Sequence, residues 1–181
     1  KPLALSIAAI LMCAAAAWRH SRFISAADTE SITWGATDPT WSPDGSRLAF
    51  SLFGSIWQVP AAGGEAQQIT TSAGYHAHPA WSPKGDAIAY VNGPPPAGRI
   101  PNISGKLILV DIAGGREREV QLPYQVAGTL AWSPDGTRLA CGLLVPGSGS
   151  LLHEVEVESG KVTQLQYKPQ RYVPGNWTDA A

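Results

Sequence analysis

Three times along the chain a tryptophan is followed by a tight polar turn and then by a short run of recurring apolar side chains. Trp41-Ser42-Pro43-Asp44-Gly45 leads into Arg47-Leu48-Ala49-Phe50. Trp81-Ser82-Pro83-Lys84-Gly85 leads into Asp86-Ala87-Ile88-Ala89-Tyr90, and Trp132-Ser133-Pro134-Asp135-Gly136 into Arg138-Leu139-Ala140-Cys141. Runs of this length, alternating or wholly apolar and bounded by Pro and Gly, predict short strands rather than helices. Ser-Pro-Asp-Gly suits a type I turn: Ser opens it, Pro presets φ, and Asp and Gly fill the last two places. Lys84 stands at the third position, which tolerates most residues. A third strand is predicted at 55–59, 106–111 and 153–157, then a Gly-containing turn. A fourth strand is predicted to end near residues 70, 123 and 166. Four antiparallel strands recurring every 40 to 50 residues predict propeller blades.

The predicted fold is therefore all-β, with blades at about 37–70, 79–122 and 129–166. Glu30-Ser31-Ile32-Thr33 reads as one more fourth strand before the first motif. Trp177 falls where a further blade opens, at about 172–181, without its Pro and Gly. A closed propeller usually needs four to eight blades. Residues 26–181 are accordingly expected to form an incomplete ring, either part of a longer protein or closed by assembly with other copies. Such an open ring exposes strand edges and apolar faces.

The one long apolar run is at the start. From Leu3 to Trp18 only Ser6 is polar, too short for the roughly 20 residues of a spanning helix. Lys1 before it and Ala14–Ala17 behind it have the layout of a secretory signal. Arg19, His20 and Arg22 after it do not suit a positive-inside anchor. Residues 1–25 are read as a signal peptide or membrane anchor, which makes the protein periplasmic or extracellular; a buried core segment is the remaining alternative. Cys13 follows the bulky Met12, a poor match to a lipoprotein site. Cys141 then has no cysteine to pair with and is expected to be buried and inert. The chain is rich in Gly (19), Pro (15) and Trp (7), and its formal net charge is −1. Without a basic footprint, a nucleic-acid partner is not expected.

At Pro39-Thr40-Trp41 and Pro79-Ala80-Trp81, with the turns that follow, the sequence resembles the TolB-type, WD-repeat-like propeller family. Leu130-Ala131-Trp132 lacks the leading Pro. The resemblance covers about residues 30–177 and implies a blade, not an activity. The family includes periplasmic scaffolds that bind peptides and lipoproteins, and propellers fused ahead of serine peptidases or amidohydrolases. Leu52 to Ala66, with Ile56-Trp57 and Gly63-Gly64-Glu65, is similar to the first blade of propellers that precede amidohydrolase domains.

Candidate chemistry is sparse. His76-Ala77-His78 is the one metal-like pair, read as a solvated or hydrogen-bonded pair in the loop between two blades, because two ligands fall short of a zinc set. On that reading His76→Ala is expected to change stability little. Gly147-Ser148-Gly149-Ser150 lacks the spacing of a nucleophile elbow and suits a flexible loop. Glu154, Glu156 and Glu158 alternate along one strand and predict its solvent face. Gly93 to Pro101 is read as a surface insertion between the second and third strands of its blade. The motif residues, above all Trp41, Trp81 and Trp132, are expected to do a repeated packing job. No catalytic residue and no cofactor is assigned within the chain. The expected role is a non-catalytic exported scaffold for a protein or peptide partner; alternatively, the chain leads a larger hydrolase, an amidohydrolase or prolyl-oligopeptidase-like peptidase, whose catalytic domain lies beyond Ala181.

Overall fold

Each Trp-Ser-Pro motif folds as the corner between the first and second strands of a blade. In the computed structural model, residues 35–96 and 103–166 are described, and all belong to one unit spanning 34–181. The N-terminal apolar segment, Glu30–Thr33, residues 97–102 of the Pro-rich insertion and Trp177 lie outside them. The first blade comprises β1 (Thr37–Trp41), β2 (Arg47–Leu52), β3 (Ser55–Pro60) and β4 (Gln67–Gln68). The second comprises β5 (Tyr75–Trp81), β6 (Ala87–Gly93), β7 (Ser104–Asp111) and β8 (Glu117–Val120). The third comprises β9 (Val126–Trp132), β10 (Arg138–Val145), β11 (Gly149–Glu156) and β12 (Val162–Gln164). All pairings are antiparallel, and within each blade successive strands are neighbours. The fold is all-β and built of propeller blades, with no helix among the described residues.

The corners follow from their residues. In the first blade the Gly45 amide donates to the Ser42 carbonyl at 2.9 Å, and Gly45 sits at φ +70°. That is a type I turn followed by a left-handed glycine, within a four-residue loop closed by the Ser42 amide bonding the Arg47 carbonyl at 2.9 Å. Ser42 Oγ donates to Asp44 Oδ1 at 2.6 Å and accepts the Arg47 amide at 2.9 Å. Asp44 also accepts the Ser46 amide and hydroxyl. The third blade repeats this with Ser133, Asp135 and Thr137. In the second blade Lys84 cannot accept, and Ser82 Oγ takes the Lys84 amide at 3.2 Å instead. Asp at the third position is thus a bonded residue rather than a tolerated one.

Burial on both faces explains why the second blade reads as near-continuous apolar sequence. Ile88 and Tyr90 of β6, with Ile108 and Val110 of β7, pack on Ala49 and Ile56 of the first blade. Ala89, Val91, Leu107 and Leu109 point the other way, onto Val126, Leu139 and Val155 of the third. Trp81 is 7% exposed in the first of these seams. Trp132 is half-buried and its Nε1 donates across the second seam to the Ala80 carbonyl at 2.9 Å. Trp41 departs from the expected packing job: it is 57% exposed, because no described strand packs on the face it presents.

The second and third blades are also not separate sheets. β9 pairs with the start of β7 through Ser104↔Ala127 and Gly105↔Val126, which makes one eight-stranded sheet. At the same end of β7, two glycines let β6 and β7 approach closely within the second blade. A Cβ on Gly93 would lie 2.2 Å from the Ser104 carbonyl oxygen, and one on Gly105 2.1 Å from that of Asn92. Gly149 and Ser150 belong to β11, not to a flexible loop. The ladder continues to Val145↔Gly149, so the hairpin turn is tight. Glu154 and Glu156 alternate on β11, paired with Arg138 and Lys161, whereas Glu158 lies beyond the strand end in a turn and pairs with Arg118 of β8.

Two outcomes are expected. Trp81→Ala should cost about 3–5 kcal/mol in urea unfolding, while Trp41→Ala should stay within about 0.5 kcal/mol; equal losses would refute the burial assigned to them. The bonds from Ser42 and Ser46 hold the Asp44 carboxyl at about 2, below its ordinary 3.8, and those from Ser133 and Thr137 hold Asp135 lower still. Both pKa values are depressed on folding. Their stabilisation is therefore in place above pH 3.8 and is lost as pH falls, through about 2 for Asp44 and lower still for Asp135. The urea midpoint of the Asp44→Asn/Asp135→Asn double variant should fall less between pH 4 and 2 than that of the parent chain.

Candidate functional site

The first strand of each blade carries a β-bulge a few residues before its tryptophan. The register slips between Thr37 and Thr40, between Ala77 and Ala80, and between Ala127 and Ala131. At each slip one residue takes a left-handed conformation: Asp38 (φ +54°), His78 (φ +54°) and Gly128 (φ +79°). Asp and His reach that region at lower cost than most side chains, and bulges re-aim side chains. Pro39 and Pro79 follow the first two, where a missing N–H costs no ladder bond.

The bulges of the first two blades bring Asp38 and His78 together, Nδ1 to Oδ2 at 3.2 Å. The atoms are close enough for charge pairing but not aligned as a hydrogen bond, and His78 Nδ1 has no such partner among the described residues. Between them opens a cavity of about 170 Å³, whose walls include Ser51, Phe53, Tyr75 and Ile103. Ser51 is 5% exposed and its Oγ is also unpartnered among the described residues. Phe53 is 58% exposed and sits at φ +52° in the two-residue turn between β2 and β3, beside Gly54 at φ +73°. Such turns favour Asn or Asp followed by Gly, and a bulky aromatic there is an outlier. Residues held at such conformations cluster at functional sites.

A larger groove of about 450 Å³ lies at the Ser-Pro-Asp-Gly end, between the second and third blades. Trp132, Arg118, Arg138 and Glu156 line it. There Arg118, Arg138, Glu156 and Glu158 are each paired with an opposite charge. The smaller cavity holds two unpartnered buried polar atoms, while Trp81 Nε1 and Tyr90 Oη, also unpartnered among the described residues, lie away from it. Buried polar groups left unpaired in a native fold call for a partner.

His76 corrects the sequence reading most sharply. It is in strand β5 rather than a loop, and 1% exposed. β6 runs on to Gly93 and supplies partners back to Tyr75, so β5 begins four residues before Pro79. Its Nδ1 meets Thr70 Oγ1 at 2.7 Å, its Nε2 meets Ser72 Oγ at 3.3 Å, and its ring lies 4.9 Å from that of Tyr90. Thr70 Oγ1 accepts the Ile56 amide at 2.9 Å. Bonded to the Ile56 amide and to His76 at once, it ties the first blade to the second. Burial lowers the His76 pKa against the opposing charge of Glu117, and burial raises that of the Tyr90 phenol. The Ser72–His76 contact places a hydroxyl beside an imidazole, but Thr70, not a carboxylate, orients the ring, unlike a hydrolytic triad. His76 and His78 do not converge, and no metal-like group of three such ligands occurs among the described residues. Cys141 is buried, which pushes its thiol up to about 11.

Asp38, Ser51 and Phe53 were not singled out from sequence. One signal was available: Asp38-Pro39-Thr40-Trp41 and His78-Pro79-Ala80-Trp81 place a polar residue at the same distance from each tryptophan. For the His76 network, Thr70→Val should destabilise by about 1–3 kcal/mol and speed exchange of the Ile56 amide, because buried groups on both sides lose a partner. Ser72→Ala, on the exposed side, should change stability by under about 0.5 kcal/mol.

No protein-family model matches the chain. The uncharacterized peptidase YuxL of Bacillus subtilis (strain 168) is 27% identical over 159 residues, which is 82% of this chain and 22% of YuxL. Among solved structures, the Agrobacterium tumefaciens protein assigned as TolB superposes with a TM-score of 0.61 at 23% identity, over 76% of this chain and 49% of its own. TolB of Acinetobacter baumannii gives 0.60 at 18%, over 74% and 32%. The tricorn protease gives 0.56 at 20%, over 72% and 13%. The chain thus spans 22% of its curated relative and less than half of each of these structures. Blade corners, strand order and these superpositions together identify the chain as a run of β-propeller blades with the TolB-type fold.

Proposed function

We propose that this chain is a non-catalytic propeller segment that binds a peptide or protein at the end of the blades where Phe53, Asp38 and His78 meet. One observation carries this reading: a cavity with unpartnered buried Ser51 and His78 atoms is walled by an exposed aromatic in a costly turn conformation. Such a turn gives a peptide a rigid aromatic to pack on, and aromatics dominate binding energy at interfaces. The N-terminal apolar segment supports export, and a periplasmic or extracellular setting follows from it.

A second reading is favoured by the match to YuxL: the blades precede the catalytic domain of a larger hydrolase and present substrate to it. Fold alone does not separate the two, since one fold hosts many functions.

The 1–181 chain, isotope-labelled, is to be titrated with a pool of short unstructured peptides. Amide shifts should concentrate at Gly35, Ser51, Tyr75 and His78, and Phe53→Ala should weaken binding about tenfold. Ester and peptide substrates should remain intact. Hydrolysis that survives mutation of His76 and His78 would overturn the non-catalytic reading, and shifts confined to the Trp132 groove would overturn the site.

A further inference from the structure

Asp38 Oδ2 and His78 Nδ1 face each other at 3.2 Å without a hydrogen bond between them. A carboxylate oxygen and an imidazole nitrogen this close, with no hydrogen bond joining them, are placed to share a third, donating group. Ser51 Oγ, 5% exposed on the same cavity wall, has lone pairs and no partner among the described residues. Phe53 and Tyr75 supply aromatic walls. Three acceptors, one of them a carboxylate, beside aromatic rings define the chemistry of the guest. A primary ammonium offers three N–H donors and a charge that the carboxylate and the ring faces both favour. A guanidinium is planar and forked, and suits a carboxylate rather than acceptors on separate strands. The cavity of about 170 Å³ holds roughly five waters' worth of volume, room for an alkyl stem behind the charge.

We propose that the Asp38–Ser51–His78 cavity is a recognition site for a primary ammonium group, the lysine side chain or free N-terminus of a peptide. The proposal deepens the peptide-binding reading by naming what the site selects, and its chemistry can be tested without any peptide. Asp38 supplies the charge, Ser51 and His78 the remaining acceptors, and Phe53 the wall that shields the contact from water.

The probe is n-butylammonium, titrated into the labelled 1–181 chain, with n-butanol as the uncharged control. Saturable shifts at Asp38, Ser51 and His78 are expected for the amine alone. Asp38→Asn should weaken its binding about tenfold, the worth of a charge-assisted hydrogen bond. Ser51→Ala should also weaken it, with both variants keeping the parent's dispersed amide spectrum. Should either variant fail to fold, competition decides: methylammonium must displace n-butylammonium from the parent chain, and tetramethylammonium, which has no N–H, must not. Displacement by tetramethylammonium, equal binding of n-butanol, or saturation by Mg²⁺ or Zn²⁺ at lower concentration than the amine would overturn the proposal. Two peptides separate the sources: an N-acetylated, amidated Ala-Lys-Ala and an unblocked trialanine, each against its fully acetylated form. Acetylated peptides binding as well as their parents would overturn ammonium selection while leaving peptide binding intact. Amine binding without any peptide binding would do the reverse.

Discussion

A single blade cannot bury its own apolar residues; it can only lay them against the next blade. Everything else in this chain depends on that constraint. It makes the second blade apolar on both faces, with Ile88 and Tyr90 turned to one neighbour and Ala89 and Val91 to the other. It sets the value of the motif tryptophans, whose rings belong to seams rather than to sheets. It also explains why residues of one type at equivalent positions differ so much in exposure. Trp81 is enclosed, Trp132 is half-buried with its indole N–H bonded across the seam, and Trp41 is open.

The seam between the first two blades is not uniform. At the Ser-Pro-Asp-Gly end it is closed by Trp81 and aliphatic side chains. Towards the other end it becomes polar, through Thr70, His76 and Ser72, and then opens into the Asp38–His78 cavity. A polar seam is tolerable only if its groups are satisfied, since an unpaired buried donor or acceptor costs more than a formed bond contributes. Thr70 and His76 meet that condition, and Ser51 and His78 do not. Tyr90 Oη and Trp81 Nε1 also lack a partner among the described residues, so what sets the proposed recognition site apart is the open cavity on which Ser51 and His78 lie.

The parts legible in the sequence were those fixed by local chemistry. Ser42-Pro43-Asp44-Gly45 bends the same way wherever it occurs, because the Ser and Asp side chains bond to their own backbone. The alternation of Glu154 and Glu156 likewise depends only on strand geometry, which stops short of Glu158. What could not be read depends on partners distant in sequence. His76 precedes a Pro-x-Trp and looks like loop until β6 is seen to extend to Gly93 and pull it into register. Nothing near residue 76 announces that Thr70 and Tyr90 will enclose it. The exposure of Trp41 is equally invisible locally, since its motif matches those of Trp81 and Trp132. Asp38 and His78 were written at equal distances from their tryptophans, but only the bulge turns that spacing into a contact.

The ladder shared by β7 and β9 has a mechanical consequence. Its pairs Ser104↔Ala127 and Gly105↔Val126 weld the second and third blades into one plate. The first blade is fastened to that plate mainly by side chains, with a few hydrogen bonds such as His76 N–H to the Gly54 carbonyl at 3.0 Å. Shear between blades therefore has one compliant joint, and the Asp38–His78 cavity straddles it. A guest seated there acts as a pin through the joint, stiffening the coupling between the first blade and the other two.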